Sequence, residues 1–370
     1  MRSLLDASCY TSPEVHAREQ ERIFRRLWIF AGPRTLLADP DSFVTRTIGG
    51  VPIVIQNFAG ELRAFVNRCA HRQSALQIGD HGRRRLACPY HGWVYGRDGQ
   101  ATSIPSCDSL YGFDDATRAS RRLPGVALEC VGNMMFVNLD PNPLPLEAQF
   151  HRDLLDRVAH VSSFFDDEVL LADFGGRFNW KLIFENILDF NHIPFIHSGS
   201  FAKLLPTLRP DPARPPARAN PPPPDDALAT DLRDLSFTAE APFELRHWPW
   251  HDNVERFSRE ARYFNFYLYP NVNFTAIAGV YFPIQQFNPA APDRTDYSMW
   301  LMTGRQKRRD PATAAILWSQ AKGEKAVIDE DIAVLEALQR GLGPGSAPAF
   351  HGAYETHLRS MARAYLELLA

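Results

Sequence analysis

The sequence predicts an α+β protein with an all-β domain over residues 42–140 and a mixed helix-and-sheet domain over residues 141–370. Three observations predict this division. Residues 42–140 consist of short runs rich in Val, Ile, Phe and Thr, broken by Gly, Asn and Pro, the texture of a compact β domain. A Pro-rich boundary, Asp140-Pro141-Asn142-Pro143-Leu144-Pro145, closes that stretch. Beyond residue 150, helix-like and strand-like segments follow one another.

The elements follow in chain order. Residues 13–30 read as a charged amphipathic helix running into an apolar end, within an N-terminal helical segment 1–41 expected to pack on the domain over 141–370. Runs such as Val51–Phe58, Leu62–Asn67 and Met134–Leu139 are strand-like. A helix is expected over 179–192, strands over 261–269, 272–287 and 296–303, and helices over 311–342 and 350–369. Residues 206–226 contain Pro221-Pro222-Pro223-Pro224 and read as a flexible loop.

Composition narrows the function. The 370 residues are 45% hydrophobic with a formal net charge of −3, enough chain for several cores. That balance gives no electrostatic reason to expect nucleic acid or an anionic membrane as partner. No apolar run approaches the ~20 residues needed to span a bilayer, and the first residues lack an apolar signal core. A soluble cytoplasmic protein is expected. Five cysteines in this length make no disulfide scaffold. Cys69 and Cys88 each sit close to a histidine, whereas Cys9, Cys107 and Cys130 do not. That asymmetry points to metal.

Cys69-Ala70-His71 is separated by sixteen residues from Cys88-Pro89-Tyr90-His91. Two thiolates and two imidazoles suit either zinc or one [2Fe–2S] cluster with cysteines on one iron and histidines on the other. Zinc fingers usually pair like ligands locally; here each loop supplies one of each kind, as a Rieske cluster requires. These pairs, with the continuation Gly92-Trp93-Val94-Tyr95-Gly96, resemble the Rieske domain of aromatic-ring-hydroxylating oxygenases. Respiratory Rieske proteins carry an extra cysteine in each loop, and Gln73-Ser74-Ala75 and Gly92-Trp93 offer none.

A second constellation lies in residues 179–197. Asn186, Asp189 and His192 recur every three residues and Glu185 lies four before Asp189, so on one helix they share a face. His197 would turn away on a straight helix, but Pro194 allows a bend that lets both imidazoles converge. Two histidines suit Fe(II), and a two-His-one-carboxylate site needs an acid from elsewhere. Val327, Asp331, Leu335, Leu338 and Leu342 form an inward stripe on the late helix. An ionised Asp331 there is costly unless paired or metal-bound. Asp329 points away and Glu330 lies to one flank; a salt bridge from Asp331 to an arginine is the structural alternative.

Asn179-Trp180-Lys181, Glu185-Asn186, Asp189-x2-His192-x4-His197 and Glu330-Asp331 with Gln339 also resemble the catalytic domain of the same family. Asn191 departs from it, since many members have Tyr there. The resemblance implies a helix-grip-like catalytic domain with a central antiparallel sheet. It implies that Cys69, His71, Cys88 and His91 hold a [2Fe–2S] cluster, and that His192, His197 and Asp331 hold Fe(II). It further implies a homotrimer in which Asp189 links the iron site to the next subunit's cluster through His91 or His71. Asn186 is a candidate residue behind the ligands.

The activity implied is hydroxylation or oxidative demethylation of a small organic substrate with O2. Electrons come from NAD(P)H through a separate reductase or ferredoxin. Alternatives are aromatic-ring cis-dihydroxylation, a Rieske electron-transfer protein without oxygenase activity, and a zinc-stabilised binding module. Trp248, Trp250 and the aromatic residues of 263–274 suit an aromatic ring or a methylammonium group, although alternation places about half of a strand's residues in the core anyway. The basic run Arg305–Arg309 suits an acidic electron donor or a solvated turn.

Overall fold

The computed structural model describes residues 2–189, 191–201, 231–241, 247–259, 262–343, 345–352 and 355–370. The Pro-rich segment 206–226 lies outside the described residues. The chain divides into two compact units, Phe24–Leu144 and Met1–Ile23 with Pro145–Ala370. The division thus falls before residue 24, where the sequence suggested 41/42.

In the first unit the strands are β1 (Ile29–Pro33), β2 (Ser42–Ile48), β3 (Val51–Phe58), β4 (Glu61–Val66), β5 (His81–Arg83), β6 (Val94–Tyr95), β7 (Ala101–Ser103), β8 (Gly125–Val131) and β9 (Met134–Asn138). Seven form an antiparallel sheet ordered β1-β9-β8-β4-β3-β2-β5, and β6 and β7 make a separate hairpin. Phe43, Val54, Phe65, Trp93 and Leu123 build a core into which Cys69 and Cys88 are packed. The helix expected over 13–30 is shorter. It runs as α1 (Pro13–Glu19), capped by Ser12, whose side chain accepts from the N–H groups of Glu14 and Val15, and a π turn ends at Phe24. Ile29-Phe30-Ala31 is instead buried strand against β9. A short all-apolar run has no period that tells helix from strand.

The second unit holds β10 (Phe165–Gly176), β11 (Phe237–Ala241), β12 (Tyr263–Leu268), β13 (Val272–Ile277), β14 (Tyr281–Ala291) and β15 (Arg294–Gly304), an antiparallel sheet ordered β10-β15-β14-β13-β12-β11. The run expected as one strand over 272–287 is two. Ala278 (φ 54°) and Gly279 (φ 71°) turn the chain, and a Cβ on Gly279 would stand 2.6 Å from the carbonyl oxygen of Ser258. Ala-Gly between hydrophobic runs is a weak turn signal.

Helices α2 (Arg152–Ser162), α3 (Trp180–Leu188), α4 (Ile193–Ile196), α5 (Thr313–Gly341) and α6 (Thr356–Leu369) complete this unit. The helix expected over 179–192 stops at Leu188. Asp189 is extended (φ −103°, ψ 115°), and its carboxylate accepts from the Asn191 N–H at 2.8 Å. This Asx turn competes with helix continuation. Asn186, Asp189 and His192 therefore do not share one helix face; His192 instead caps α4. On α5 the buried stripe is Leu317, Ala321, Ile328, Asp331, Leu335 and Gln339. Asp331 and Leu335 are buried as expected, but Ile328 and Gln339 take the places assigned to Val327 and Leu338, and Leu338 is 51% exposed.

Behind α3 lies a buried ion pair. Lys181 is bonded to Glu19, which also accepts from the Tyr365 hydroxyl at 2.6 Å and from Trp180 Nε1 at 3.1 Å. Burial pushes the Lys181 ammonium down, and Glu19 opposes it. Removing one partner strands the other charge. Glu19→Ala is expected to lower unfolding stability in urea by about 3–5 kcal/mol, against about 0.5 kcal/mol or less for the exposed Glu21→Ala. Equal midpoints for the two variants would refute the assignment.

Candidate metal centres

The first unit brings Cys69, His71, Cys88 and His91 together on two loops that are conformational copies. Cys69 and Cys88 N–H groups donate to the carbonyls of Ser74 and Trp93, five residues on, both at 2.8 Å. Their carbonyls accept from Gln73 and Gly92 N–H groups, both at 3.0 Å. Gln73 (φ 63°) and Gly92 (φ 72°) both turn left-handed to close these loops. Cys69 and Cys88 are 1% and 3% exposed, while His71 and His91 are half-buried.

The donors converge. His71 Nδ1 and His91 Nδ1 stand 3.2 Å apart, close to the ~3.3 Å between two nitrogens on one tetrahedral metal. The His71 ring is stacked on Trp93, 4.9 Å between centroids and 6° between planes. Tyr95 Oη accepts from the Ala70 N–H at 3.0 Å and lies 3.0 Å from Cys69 Sγ, to which it would donate once the sulfur is a thiolate. Burial pushes the Cys69 thiol up, and a metal would reverse that preference by taking the thiolate. These four side chains fit a [2Fe–2S] cluster with one all-sulfur and one imidazole end.

The second unit brings His192, His197 and Asp331 together, with one ligand atom from each all within 4.8 Å of one another. α4 sets the two histidines at either end of a single turn, their rings 5.2 Å apart and at 75°. Both present Nε2 to Asp331 Oδ1, at 3.2 Å from His197 and 3.8 Å from His192. Asn186 Nδ2 donates to the same oxygen at 2.9 Å, which gives Asn186 a defined task in orienting the acid. No arginine pairs with Asp331 among the described residues, so the salt-bridge alternative is not what the fold builds.

Glu330, read from the sequence as lying to one flank, accepts from His197 Nδ1 at 2.9 Å and from Ser200 Oγ at 2.5 Å. Nδ1 thereby holds the proton and Nε2 keeps its lone pair for a metal. Burial depresses His197, but bonds and charge from Asp331 and Glu330 outweigh it and its pKa is raised. Burial depresses His192, with Asp331 opposing. His192 Nδ1 is buried without a hydrogen-bond partner among the described residues. The Asp189 carboxylate does not bond that ring, although its charge and its backbone both favour the protonated imidazole. Two imidazole nitrogens and a carboxylate are the donor set of a facial Fe(II) site.

Two peripheral features each offered two readings, and the structure bears on both. Phe266, Tyr267, Tyr269 and Phe274 are core, each 1% exposed or less. Arg305 is paired with Glu255 at 2.7 Å, as a solvated turn would be.

Comparison with known proteins matches residues 28–114 to the Rieske [2Fe-2S] domain and residues 152–370 to the ring hydroxylating alpha subunit (catalytic domain). The chain belongs to the ring-hydroxylating alpha-subunit family. Membership implies two cofactors, a Rieske [2Fe–2S] cluster and a mononuclear iron. In sequence it is 32% identical over 194 residues to the carnitine monooxygenase oxygenase subunit of Acinetobacter pittii, covering 51% of each chain. It is 31% identical over 195 residues to the anthranilate 1,2-dioxygenase large subunit of Acinetobacter baylyi, covering 51% of this chain and 41% of that one. The chain spans about half the length of the relatives it matches.

Among solved structures, the family fold recurs in the quaternary ammonium Rieske monooxygenase CntA bound to L-carnitine, with TM-score 0.71 and 20% identity over 98% of this chain and 94% of that one. It recurs equally in naphthalene 1,2-dioxygenase from Rhodococcus sp. bound to indole, with TM-score 0.71 and 18% identity over 99% and 94%.

Because Glu330 fixes the His197 proton, Glu330→Ala is expected to weaken iron binding about 10–100-fold, measured by chelator competition for ferrous iron. An unchanged affinity would show that His197 needs no such partner.

Proposed function

We propose that the chain is the catalytic subunit of a Rieske oxygenase that hydroxylates or oxidatively demethylates a small organic substrate. It uses O2 and electrons from a separate NAD(P)H-dependent reductase or ferredoxin. The observation behind this reading is the presence of two complete donor sets in one chain: Cys69, His71, Cys88 and His91, and His192, His197 and Asp331. An electron carrier alone would need only the first, and a zinc module would need neither the inward Asp331 nor the paired histidines.

Bound iron supplies O2 activation and the cluster supplies electrons one at a time. The chain's own residues set the conditions. With a cluster bound, Tyr95 would donate to the Cys69 thiolate, a contact that tunes a cluster's potential. Glu330 holds the His197 tautomer, and Asn186 holds the Asp331 carboxylate in register with both imidazoles. In this reading the subunits form a homotrimer, and Asp189 bridges by hydrogen bonds His91 or His71 of the next subunit and His192, fixing the tautomer of each ring. Its position at the C-cap of α3, three residues before His192, supports that role.

Relatives named as carnitine and choline monooxygenases favour monooxygenation. Relatives named as dioxygenases, and a fold likeness of equal quality to naphthalene 1,2-dioxygenase, support cis-dihydroxylation as the second reading. Among the described residues no helix is long and apolar enough to cross a membrane. A cytoplasmic location, with neither nucleic acid nor membrane as partner, completes the reading.

His192→Ala is expected to cut substrate-dependent O2 uptake by about 100-fold or more, since the step depends on the ligand set acting as a unit, while the Rieske visible and EPR spectra stay intact. Undiminished uptake would refute the site. Asp189→Ala is expected to retain both metal centres and slow reoxidation of the reduced cluster in a single turnover; a wild-type rate would remove the bridge.

A further inference from the structure

The unit Phe24–Leu144 carries 14 arginines and no lysine against 10 acids, so it is positive in a chain whose net charge is −3. Part of that charge borders a cavity of about 380 Å³, whose walls include Arg68, Ala70, Gln73, Ser120, Arg121 and Arg122. Among the described residues no acid lines it. Arg68 is exposed, and its guanidinium has no hydrogen bond or ion pair among the described residues. Arg121 directs its Nε to the Thr117 carbonyl at 3.3 Å and the Ser120 hydroxyl at 3.2 Å, and its two terminal nitrogens have no partner among the described residues. Arg122 pairs with Asp98 at 3.4 Å, with both side chains about half exposed, a contact too solvated to hold the charge in one place.

One wall of this cavity is the loop that supplies half of the cluster's donors. Ala70 stands between Cys69 and His71, and the Gln73 N–H donates to the Cys69 carbonyl at 3.0 Å. A partner seated in the cavity therefore meets the cluster-binding loop itself. The loop tips are the other approach, where Arg72 lies over the Tyr90 ring, 5.5 Å from its centroid. In the trimeric reading, however, His71 or His91 at those tips faces Asp189 of the next subunit. The flank with the cavity is the approach that stays open to an electron donor.

The occupant's chemistry follows from these walls. Small-molecule pockets are mostly apolar with a few placed polar groups. Guanidinium groups standing in solvent instead suit carboxylates on a protein surface, which Arg holds by paired hydrogen bonds. Charges of this kind speed encounter and fix orientation. We propose that the cavity bounded by Arg68, Arg121 and Arg122 is the docking surface for an acidic electron-donor protein. One electron passes there from the reduced donor to the oxidised cluster; the donor is oxidised, the cluster is reduced, and no bond forms or breaks. The assignment rests on the oxygenase reading for the direction of electron flow, but the docking surface itself is separable from it.

The probe is a plant-type [2Fe–2S] ferredoxin with an acidic surface, titrated calorimetrically in its oxidised form into the metal-loaded, full-length protein at low ionic strength. No electron moves in that experiment, so it reads docking alone. Arg68→Glu and Arg122→Glu are each expected to weaken binding about tenfold or more, and Arg68→Lys to retain most of it. Arg83→Glu, on the edge strand β5 and 65% exposed at its side chain, is expected to change it less than about twofold, and added salt to erase most of these differences. Stopped-flow reduction of the cluster by reduced ferredoxin should follow the same order, whereas the cationic reductant methyl viologen should be slowed by none of the variants. No binding of the ferredoxin to wild type, equal losses in Arg68→Glu and Arg83→Glu, or wild-type affinity in both cavity variants would each overturn the proposal. A smaller assembly by light scattering in Arg68→Glu would give the cavity to a second copy of this chain and also overturn it. Substrate-dependent O2 consumption in a single turnover of pre-reduced protein distinguishes the two levels. Its absence beside Arg68-dependent docking defeats the oxygenase reading and leaves the docking surface standing. Consumption beside docking that ignores Arg68 and Arg122 does the reverse.

Discussion

The burial of the Asp331 carboxylate is the constraint around which the catalytic unit is arranged. It is 8% exposed, set in the apolar stripe of a 29-residue helix between Ile328 and Leu335. An ionised acid there is tolerated only if cations or donors surround it. The chain supplies one donor, Asn186, and two imidazole edges. Everything nearby fixes those groups: Asn179 starts α3 by accepting from the Lys181 N–H, the Asx turn at Asp189 ends it, and α4 then spaces His192 from His197.

Two turns beyond Asp331, Gln339 gives a physical reason for its place in the family pattern. Its Oε1 accepts from the Asn179 N–H at 2.8 Å and its Nε2 donates to the Tyr10 carbonyl at 3.2 Å. The start of α3, the N-terminal segment and the acid-bearing helix are thus tied at one buried amide. The β unit holds its own donors by a different device, two loops with matching backbone bonds on a sheet scaffold. Both devices hold polar ligands in place by pairing backbone groups beside them.

The candidate donors that the fold brings together are legible in the sequence because Cys-x-His with Cys-x2-His, and Asp189-x2-His192-x4-His197, are rare spacings whose residue types have few other uses. The inward placement of Asp331 was legible from helical period, although its neighbouring stripe was out of phase at Val327 and Leu338. Other features were not. The end of α3 depends on a side-chain-to-backbone bond at Asp189 that competes with helix by a small margin. The strand Ile29–Pro33 depends on a partner far along the chain, and the hairpin at Ala278-Gly279 depends on two left-handed residues of which only the glycine signals a turn. Glu330 looks in sequence like an ordinary acid on an amphipathic helix. Only the fold shows that it faces an imidazole.

The most direct measurement is iron stoichiometry with chelator accessibility on anaerobically purified protein, followed by Mössbauer spectroscopy. The account predicts about three irons per chain, two in a Rieske cluster with distinct sulfur- and imidazole-ligated sites and one high-spin ferrous ion that His192→Ala removes while the cluster pair remains. Zinc in place of the pair, or a third iron that survives the loss of His192, would contradict it.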